Sequence, residues 1–250
     1  MRSLRKLAFV ELKLFLRDPI TLIFTFAFPF FVLFILAGVF GNEIENDEDI
    51  RVWRGVGPTD YYVPAYVGLV IASIGLLALP LRLAAYRENG VLRRYRASAV
   101  SIWAILGSQV FVAALMALVG AVSITLAARL VFDTMLPQEP AKLLGAFVLA
   151  VLAFAAIGTF LGAVLPNARS AQAAGLILFF VMMFICGAGP PREVLSGSMK
   201  AVSDFLPLTH VILVLQNPWL GAGWHLSSSL VTVAFVAVPG ALSALLFRWE

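Results

Sequence analysis

Residues 86–100 read YRENGVLRRYRASAV, a short cationic stretch in which four arginines are set between apolar residues. Long apolar stretches lie on both sides of it, at residues 61–85 and 102–131. Charge placed between two such stretches indicates a water-exposed turn joining two hydrophobic helices. Residues 86–100 are therefore predicted to form a hairpin at a membrane surface, where a soluble partner could act on the embedded helices.

The composition indicates an integral membrane protein. The 250 residues are 61% hydrophobic and 13% charged, with a mean hydropathy of +0.96, beyond what a water-soluble fold tolerates. A helix needs roughly 20 apolar residues to cross the bilayer, whereas barrel strands are shorter and alternate. We expect an all-α transmembrane domain of six spanning helices, at residues 20–40, 61–85, 102–131, 142–165, 171–188 and 226–247.

The distribution of positive charge predicts the orientation. With both termini in the cytoplasm, twelve of the 18 Lys and Arg residues lie on the inner side and six on the outer side. The acidic run at residues 43–49 falls on the outer side. The positive-inside rule therefore predicts a multi-pass protein of the cell (inner or plasma) membrane with cytoplasmic termini. The cationic start lacks a small-residue cleavage site, so we expect no removable signal peptide.

Residues 1–19 predict an amphipathic helix at the membrane interface. Glu11 lies within its apolar side, where an isolated carboxylate would be costly. Two explanations remain open at this point. An arginine, either Arg82 or one from residues 86–100, pairs with Glu11, or the carboxylate reaches lipid headgroups and water. Arg17, near the end of the helix, completes the predicted set of interfacial charges.

Aromatic residues at the ends of the predicted spans suggest an interfacial belt that anchors the protein. They are Trp53, Tyr61, Tyr62, Tyr66, Trp219 and Trp224. Prolines inside three spans, Pro29, Pro80 and Pro239, predict local bends. Gly158 and Gly162, four residues apart, predict a close helix approach, either within the chain or between subunits.

Several chemistries lack the residues that they require. The predicted spans contain no Asp or Glu, which argues against an ion-coupled carrier. A GxxxxGK[ST] phosphate loop is missing, and His210 and His225 have no partners at metal-ligand spacing. We therefore predict neither a catalytic nor a metal site, and we expect no nucleic-acid partner. An ion-coupled secondary carrier and a polytopic lipid-modifying membrane enzyme remain open as function classes.

Two motifs and the distance between them match those of a known family. The N-terminal stretch keeps an E-L-K-x-x-x-R-D-P pattern at Glu11, Leu12, Lys13, Arg17, Asp18 and Pro19. The hairpin keeps a second pattern at Arg87, Glu88, Gly90, Leu92, Arg94, Arg96, Ala97 and Ser101, with Val91 in place of a threonine. With these motifs the sequence resembles the half-size permeases of type-2 ATP-binding-cassette exporters. Residues 189–225 resemble the outer re-entrant region of that family.

The resemblance implies a separate ATPase subunit, present in two copies, that binds ATP and Mg, while this chain carries no cofactor and is not itself an enzyme. It also implies a second permease subunit, identical or homologous, a prokaryotic membrane, and docking of the ATPase on a coupling helix within residues 86–100. The candidate coupling residues are Arg87, Glu88, Gly90, Val91, Leu92, Arg93, Arg94, Tyr95 and Arg96.

Spacings of three and four residues predict that Val91, Leu92 and Tyr95 form an apolar docking face ringed by the arginines. The alternative for the arginines is that they set orientation or bind anionic lipid.

The substrate is expected to be amphipathic or lipid-like, such as a drug, and to move outward. Aromatic and methionine side chains can accept varied apolar ligands. The candidate cavity residues are Phe24, Phe28, Phe31, Phe180, Met183 and Phe184. Lipid contact and helix packing explain the same side chains equally well.

Overall fold

The computed structural model describes residues 2–44, 46–97 and 101–246, and within these ranges it is helical without any strand. In this described part of the chain, six helices are long and apolar enough to cross a membrane, which confirms the all-α class and the six predicted spans. We number them spans 1 to 6: Pro19–Phe40, Pro58–Glu88, Ala104–Phe132, Pro140–Val164, Ala168–Ile185 and Leu226–Leu246.

Shorter helices connect the spans. An N-terminal helix, Arg2–Phe15, precedes span 1, and a hairpin helix, Val91–Ala97, lies between spans 2 and 3. Asp47–Val52 lies between spans 1 and 2. Between spans 5 and 6, helices Gly197–Ser203 and Pro207–Trp219 meet at 90°, a geometry typical of a broken span or a re-entrant loop.

The connections sort to two opposite ends of the bundle. At the end that we call the loop end, the carboxylate of Asp60 accepts a hydrogen bond from the Met135 amide at 2.7 Å. There Arg54 Nη2 also donates to Asn217 Oδ1 at 2.9 Å. The N-terminal helix, the hairpin helix and the turn between spans 4 and 5 lie together at the other end, the hairpin end. Antiparallel spans with short connections produce this alternation.

Span 2 is the central helix of the bundle. Its residues from 58 to 80 are all buried, whereas fewer than a third of the residues in the apolar windows of spans 1, 5 and 6 are buried. Because neighbouring helices surround span 2, apolar residues occupy all of its faces. The helix runs from Pro58 to Glu88, longer than the predicted 61–85. Asp60 and Glu88 consequently fall within a span, a correction to the expected absence of acids, but both lie at its ends.

Two of the three prolines coincide with a local change of helix type. Turns of π-helix at Ile23–Ala27 and Ile74–Ala78 each end two residues before a proline, Pro29 and Pro80 respectively. Proline has no amide hydrogen and its ring displaces the carbonyl four residues earlier, so the helix widens there. Pro239 lies instead in continuous α-helix without a π-helical turn.

Glycines allow spans 4 and 5 to approach span 2 closely. A Cβ atom added to Gly158 would lie 2.1 Å from the carbonyl oxygen of Gly75. One added to Gly175 would lie 2.1 Å from that of Leu76, the carbonyl that Pro80 leaves without its helical donor. Only glycine lets a backbone come this near, and Cα–H groups then face the carbonyls. The small residues therefore pack helices within the chain, the first of the two expected possibilities.

The aromatic belt predicted at the span ends is wrong for five of its six members. Trp224 is 40% exposed, whereas the others are buried: Trp53, Tyr61, Tyr62, Tyr66 and Trp219. The Tyr61 hydroxyl donates to Glu193 Oε2 at 2.7 Å and the Tyr62 hydroxyl to the Gly189 carbonyl at 2.8 Å. The segment between spans 5 and 6 supplies both acceptors, so it covers rings that would otherwise reach the membrane interface.

Candidate functional site

A buried ion pair joins the N-terminal helix to span 2. Glu11 is 2% exposed and Arg82 is 8% exposed. Arg82 Nη1 lies 3.4 Å from Glu11 Oε2 and also donates to the Glu11 backbone carbonyl at 3.2 Å. Of the two explanations left open by the sequence, the structure shows an arginine partner, Arg82. Arg82 is therefore held inside the chain and does not snorkel to the membrane surface.

Further side chains complete this Glu11 cluster. The Tyr86 hydroxyl donates to Glu11 Oε1 at 2.8 Å, and Gln109 Nε2 of span 3 lies 3.5 Å from the same oxygen. The Arg82 guanidinium sits 5.0 Å from the centre of the Phe15 ring, a cation–π contact. One carboxylate thus links the N-terminal helix to spans 2 and 3.

Sequence reasoning placed some members of this cluster and missed others. Tyr86 lies four residues after Arg82, on the same helix face, so spacing alone could have identified it. Gln109 carries no local signal, because it reaches Glu11 only through the packing of span 3. Arg17, the third predicted charge, is exposed and lies outside the cluster.

The hairpin turn depends on one glycine. Gly90 has a φ of +62°, the left-handed conformation that favours glycine, and its amide donates to the Arg87 carbonyl at 3.0 Å. The chain thereby leaves span 2 and starts the hairpin helix at Val91.

The apolar face of the hairpin helix packs inside the chain. Leu92 is fully buried against Leu83, Tyr86 and Ile105 of spans 2 and 3, and the half-buried Val91 and Tyr95 pack on the same cluster. The predicted docking face is therefore turned toward the protein's own core, a correction to the sequence analysis. Spacing shows which side chains share a face but not what covers that face.

Tyr95 brings the hairpin helix close to the Glu11 cluster. Its ring meets the Tyr86 ring edge to face, with 6.4 Å between centroids. Burial and the negative charge of Glu11 together raise the pKa of the Tyr95 hydroxyl. The hairpin helix, span 2 and the N-terminal helix consequently form one connected unit.

Arg87 and Glu88 hold the turn between spans 4 and 5. The Arg87 guanidinium donates to the carbonyls of Gly162 (3.0 Å), Ala163 and Leu165 (2.8 Å), at the end of span 4. Glu88 Oε2 accepts the Ala168 amide, the first of span 5, at 3.1 Å. Each charge complements the dipole of the helix end that it contacts. This Arg87–Glu88 clamp corrects the prediction that both residues face a partner.

What remains on the outside of the hairpin is cationic. Arg93 and Arg94 are exposed, and Arg94 Nη2 donates to the Asn89 carbonyl at 3.1 Å. Arg169, at the start of span 5, is exposed at the same end of the bundle. We call these three arginines the arginine surface. The side chain of Arg96 and residues 98–100 lie outside the described part of the chain.

The predicted cavity residues have other contacts. Phe24 and Phe28 of span 1 and Phe179 and Phe180 of span 5 form a packed cluster, with ring centroids 5.4 to 5.9 Å apart. Met183 is buried beside them, while Phe31 and Phe184 are 65% and 55% exposed on the bundle surface. Four of the six candidates therefore serve helix packing and two face outward, and their cavity role stays a prediction.

An apolar groove of about 660 Å³ lies elsewhere, between spans 3, 4 and 6. Its lining includes Phe111, Leu152 and Gly240, with the hydroxyls of Thr159 and Ser243 as polar groups. None of the predicted cavity residues lines this groove. The residues that line this groove could not be predicted from the sequence, because three helices that are distant along the chain supply its walls.

Comparison with known proteins identifies the family. A comparison with curated proteins found no match. The family profile described as ABC-2 type transporter matches residues 3–218, from the N-terminal helix through the hairpin and five spans to the helix Pro207–Trp219. The matched segment includes the Glu11 cluster, the clamp and the arginine surface. The chain belongs to the ABC-2 type transporter family.

Proposed function

We propose that this chain moves an amphipathic or hydrophobic substrate, drug-like or lipid-like, outward across a prokaryotic cell membrane by alternating access. Family membership makes it the transmembrane permease component of an ABC transporter, a multi-pass protein that is not the ATPase. One observation carries the proposal further. Arg93 and Arg94 of the arginine surface lie on the hairpin helix, whose opposite face packs against spans 2 and 3, so force applied there would reach the central helix.

The ATPase partner is proposed to dock on the arginine surface through a groove with an acidic rim. Two ATPase copies, each binding ATP and Mg, would serve this chain and a second permease, identical or homologous. Motion of the docked ATPase would tilt the hairpin helix, and Leu92 and Tyr95 would pass that motion to spans 2 and 3 and to the Glu11 cluster. Both termini would then lie in the cytoplasm with the hairpin end.

The nature of the groove supports an apolar cargo. Its walls are apolar apart from two hydroxyls, and the carboxylates of the spans lie at helix ends rather than at membrane depth. A highly charged ion would have to leave water without compensating groups in such a groove, whereas an amphipathic molecule would not. The outward direction of transport rests on the resemblance to exporters.

Reconstitution tests the coupling. The chain is purified from its source cells together with any ABC ATPase that accompanies it, and ATP hydrolysis and ATP-dependent movement of fluorescent amphipathic dyes are measured in proteoliposomes. Arg93→Glu on the arginine surface should weaken assembly or uncouple transport. Arg51→Glu, an equally exposed charge reversal at the loop end, should leave both unchanged. ATP hydrolysis by the purified chain alone, or equal effects of the two variants, would refute the proposal.

Labelling tests the orientation. Cys186, the single cysteine, is only 1% exposed, so an introduced cysteine can be labelled with little background. A membrane-impermeant maleimide added to intact cells should label Arg51→Cys at the loop end and spare Ala97→Cys at the hairpin end. Exterior labelling of Ala97→Cys would show that the hairpin cannot meet a cytoplasmic ATPase.

A further inference from the structure

A polar pocket of about 510 Å³ opens at the loop end, at the opposite end of the bundle from the arginine surface. Three cations and two acids line it together with two histidines: Arg54, Arg192, Lys200, Glu193 and Asp204, with His210 and His225. With the histidines neutral, this lining carries a net charge of +1. The pocket is therefore suited to an anion rather than a cation.

Hydrogen bonds and an ion pair hold the three cations in place, and each cation keeps further N–H groups that could bind a ligand. Arg54 Nη2 donates to Asn217 Oδ1 at 2.9 Å, and Arg192 pairs with Asp204. Lys200 Nζ donates to the backbone carbonyl of Glu193 at 2.9 Å, a neutral acceptor that leaves its charge uncompensated at that contact. A guanidinium has five N–H groups and an ammonium three, so each cation can still donate to a ligand.

A strained backbone residue, a histidine and a helix end further shape the pocket. Arg54 has a φ of +58°, an uncommon and strained conformation for a residue with a side chain, of the kind that clusters at binding sites. The pKa of His225 is lowered, first by burial and then by the positive charge of Arg54. His225 Nδ1 accepts the Ser228 amide in the first turn of span 6, so the positive end of that 21-residue helix faces the pocket.

Beside the pocket, the same segment presents an apolar face. Met199 and Val202 on the helix Gly197–Ser203 are 42% and 52% exposed, and Phe205 just after it is 82% exposed. Lys200, on the same helix, lines the pocket instead. Since this helix meets the next at 90° in a region that would border the membrane, an acyl chain could lie along the apolar face while its polar group enters the pocket.

We propose that this pocket binds the phosphate group of an amphiphile, with the attached chain along Met199, Val202 and Phe205. Three cationic donors around one cavity match a tetrahedral group that offers several acceptor oxygens. That the amphiphile is cargo rests on the proposed function, which this inference deepens by naming the headgroup. The binding itself requires no ATPase.

Binding to the purified full-length chain in neutral detergent tests the proposal, by native mass spectrometry and calorimetry. The probes are phosphatidylglycerol, glycerol phosphate as the headgroup alone, and a glucosyl diacylglycerol that lacks phosphate. Lys200→Gln and Arg192→Gln should each weaken phosphatidylglycerol binding about tenfold, the effect of one charge-assisted hydrogen bond. Arg51→Gln, an exposed cation outside the pocket, should change nothing.

Asp204→Asn separates a binding role from a structural one. It removes a negative charge from the lining and frees Arg192, so binding should tighten, whereas loss of local structure would weaken binding in every variant. Preference for phosphatidylglycerol over glycerol phosphate would support the placement of the chain along Met199, Val202 and Phe205. Equal affinity would overturn that placement and point to a soluble phosphate. Equal binding of the phosphate-free glycolipid, or weaker binding by Asp204→Asn, would overturn the proposal.

The two proposals can fail separately. ATP-driven transport by a chain that does not bind phosphate would overturn only the phosphate site. Phosphate binding by a chain that supports no ATP-driven transport would overturn only the proposed function.

Discussion

Replacing Glu11 by glutamine should destabilise the protein far more than breaking a closer ion pair on its surface. Arg129 Nη1 lies 2.8 Å from Asp133 Oδ1, nearer than the 3.4 Å of the Glu11–Arg82 pair. The Arg129 and Asp133 side chains are 45% and 89% exposed, against 9% and 2% for Arg82 and Glu11. Distance and burial therefore predict opposite rankings of the two pairs.

The magnitudes favour burial. At 3.4 Å and an effective dielectric constant of about 20, opposite unit charges attract by about 5 kcal/mol, while water reduces the attraction at 2.8 Å to about 1.5 kcal/mol. Removing one partner of a buried pair typically costs about 3 to 5 kcal/mol, because the other charge is left without compensation. Glu11→Gln should lower the free energy of unfolding by about that amount, and Asp133→Asn by at most about 1 kcal/mol.

Detergent titration measures the difference. The purified chain in mild detergent is unfolded with increasing mole fractions of sodium dodecyl sulfate, and the transition is followed by circular dichroism. The double variant Glu11→Gln/Arg82→Gln should recover part of the loss, since neither charge is then stranded. Equal midpoints for Glu11→Gln and Asp133→Asn, or additive losses in the double variant, would refute the argument from burial.

Three further substitutions test the packing at the hairpin end and between the spans. Arg87→Ala would leave the end carbonyls of span 4 without their donor and should lower the free energy of unfolding by about 2 to 3 kcal/mol in the same titration. Arg93→Ala should lower it by less than about 0.5 kcal/mol, and equal losses would contradict the clamp. Gly158→Ala would place a Cβ 2.1 Å from a carbonyl oxygen of span 2 and should lower the free energy of unfolding by about 1 to 3 kcal/mol. At Gly38 an added Cβ would meet no neighbouring segment within 4 Å, so Gly38→Ala should be neutral or stabilising by up to about 1 kcal/mol. Leu92→Ala should lower the free energy of unfolding by about 2 to 5 kcal/mol and speed amide hydrogen exchange across the hairpin helix of the purified chain without any partner. Unchanged exchange would show that Leu92 does not hold the hairpin helix to this chain and would favour a docking role for it.

Hydropathy was enough to predict the number of spans. The free energy of moving a 20-residue apolar helix into hydrocarbon is nearly a property of that segment alone, so each span can be recognised without knowledge of its neighbours. Sequence reasoning singled out Glu11 as a costly carboxylate on an apolar face, but it left open whether an arginine or headgroups and water compensate it. The choice of Arg82 over the hairpin arginines depended on how the N-terminal helix packs against span 2.

The sequence by itself determined an all-helical membrane protein with six spans, a cationic hairpin after the second span, and an unusual acid in the N-terminal helix. Only the tertiary structure decided that Tyr61 is buried rather than interfacial, that Leu92 packs inward, and that Arg87 holds the end of span 4. An aromatic or leucine side chain is equally stable against lipid, a partner or its own chain. Contacts between residues far apart in sequence select among these environments, and periodicity and spacing do not contain them.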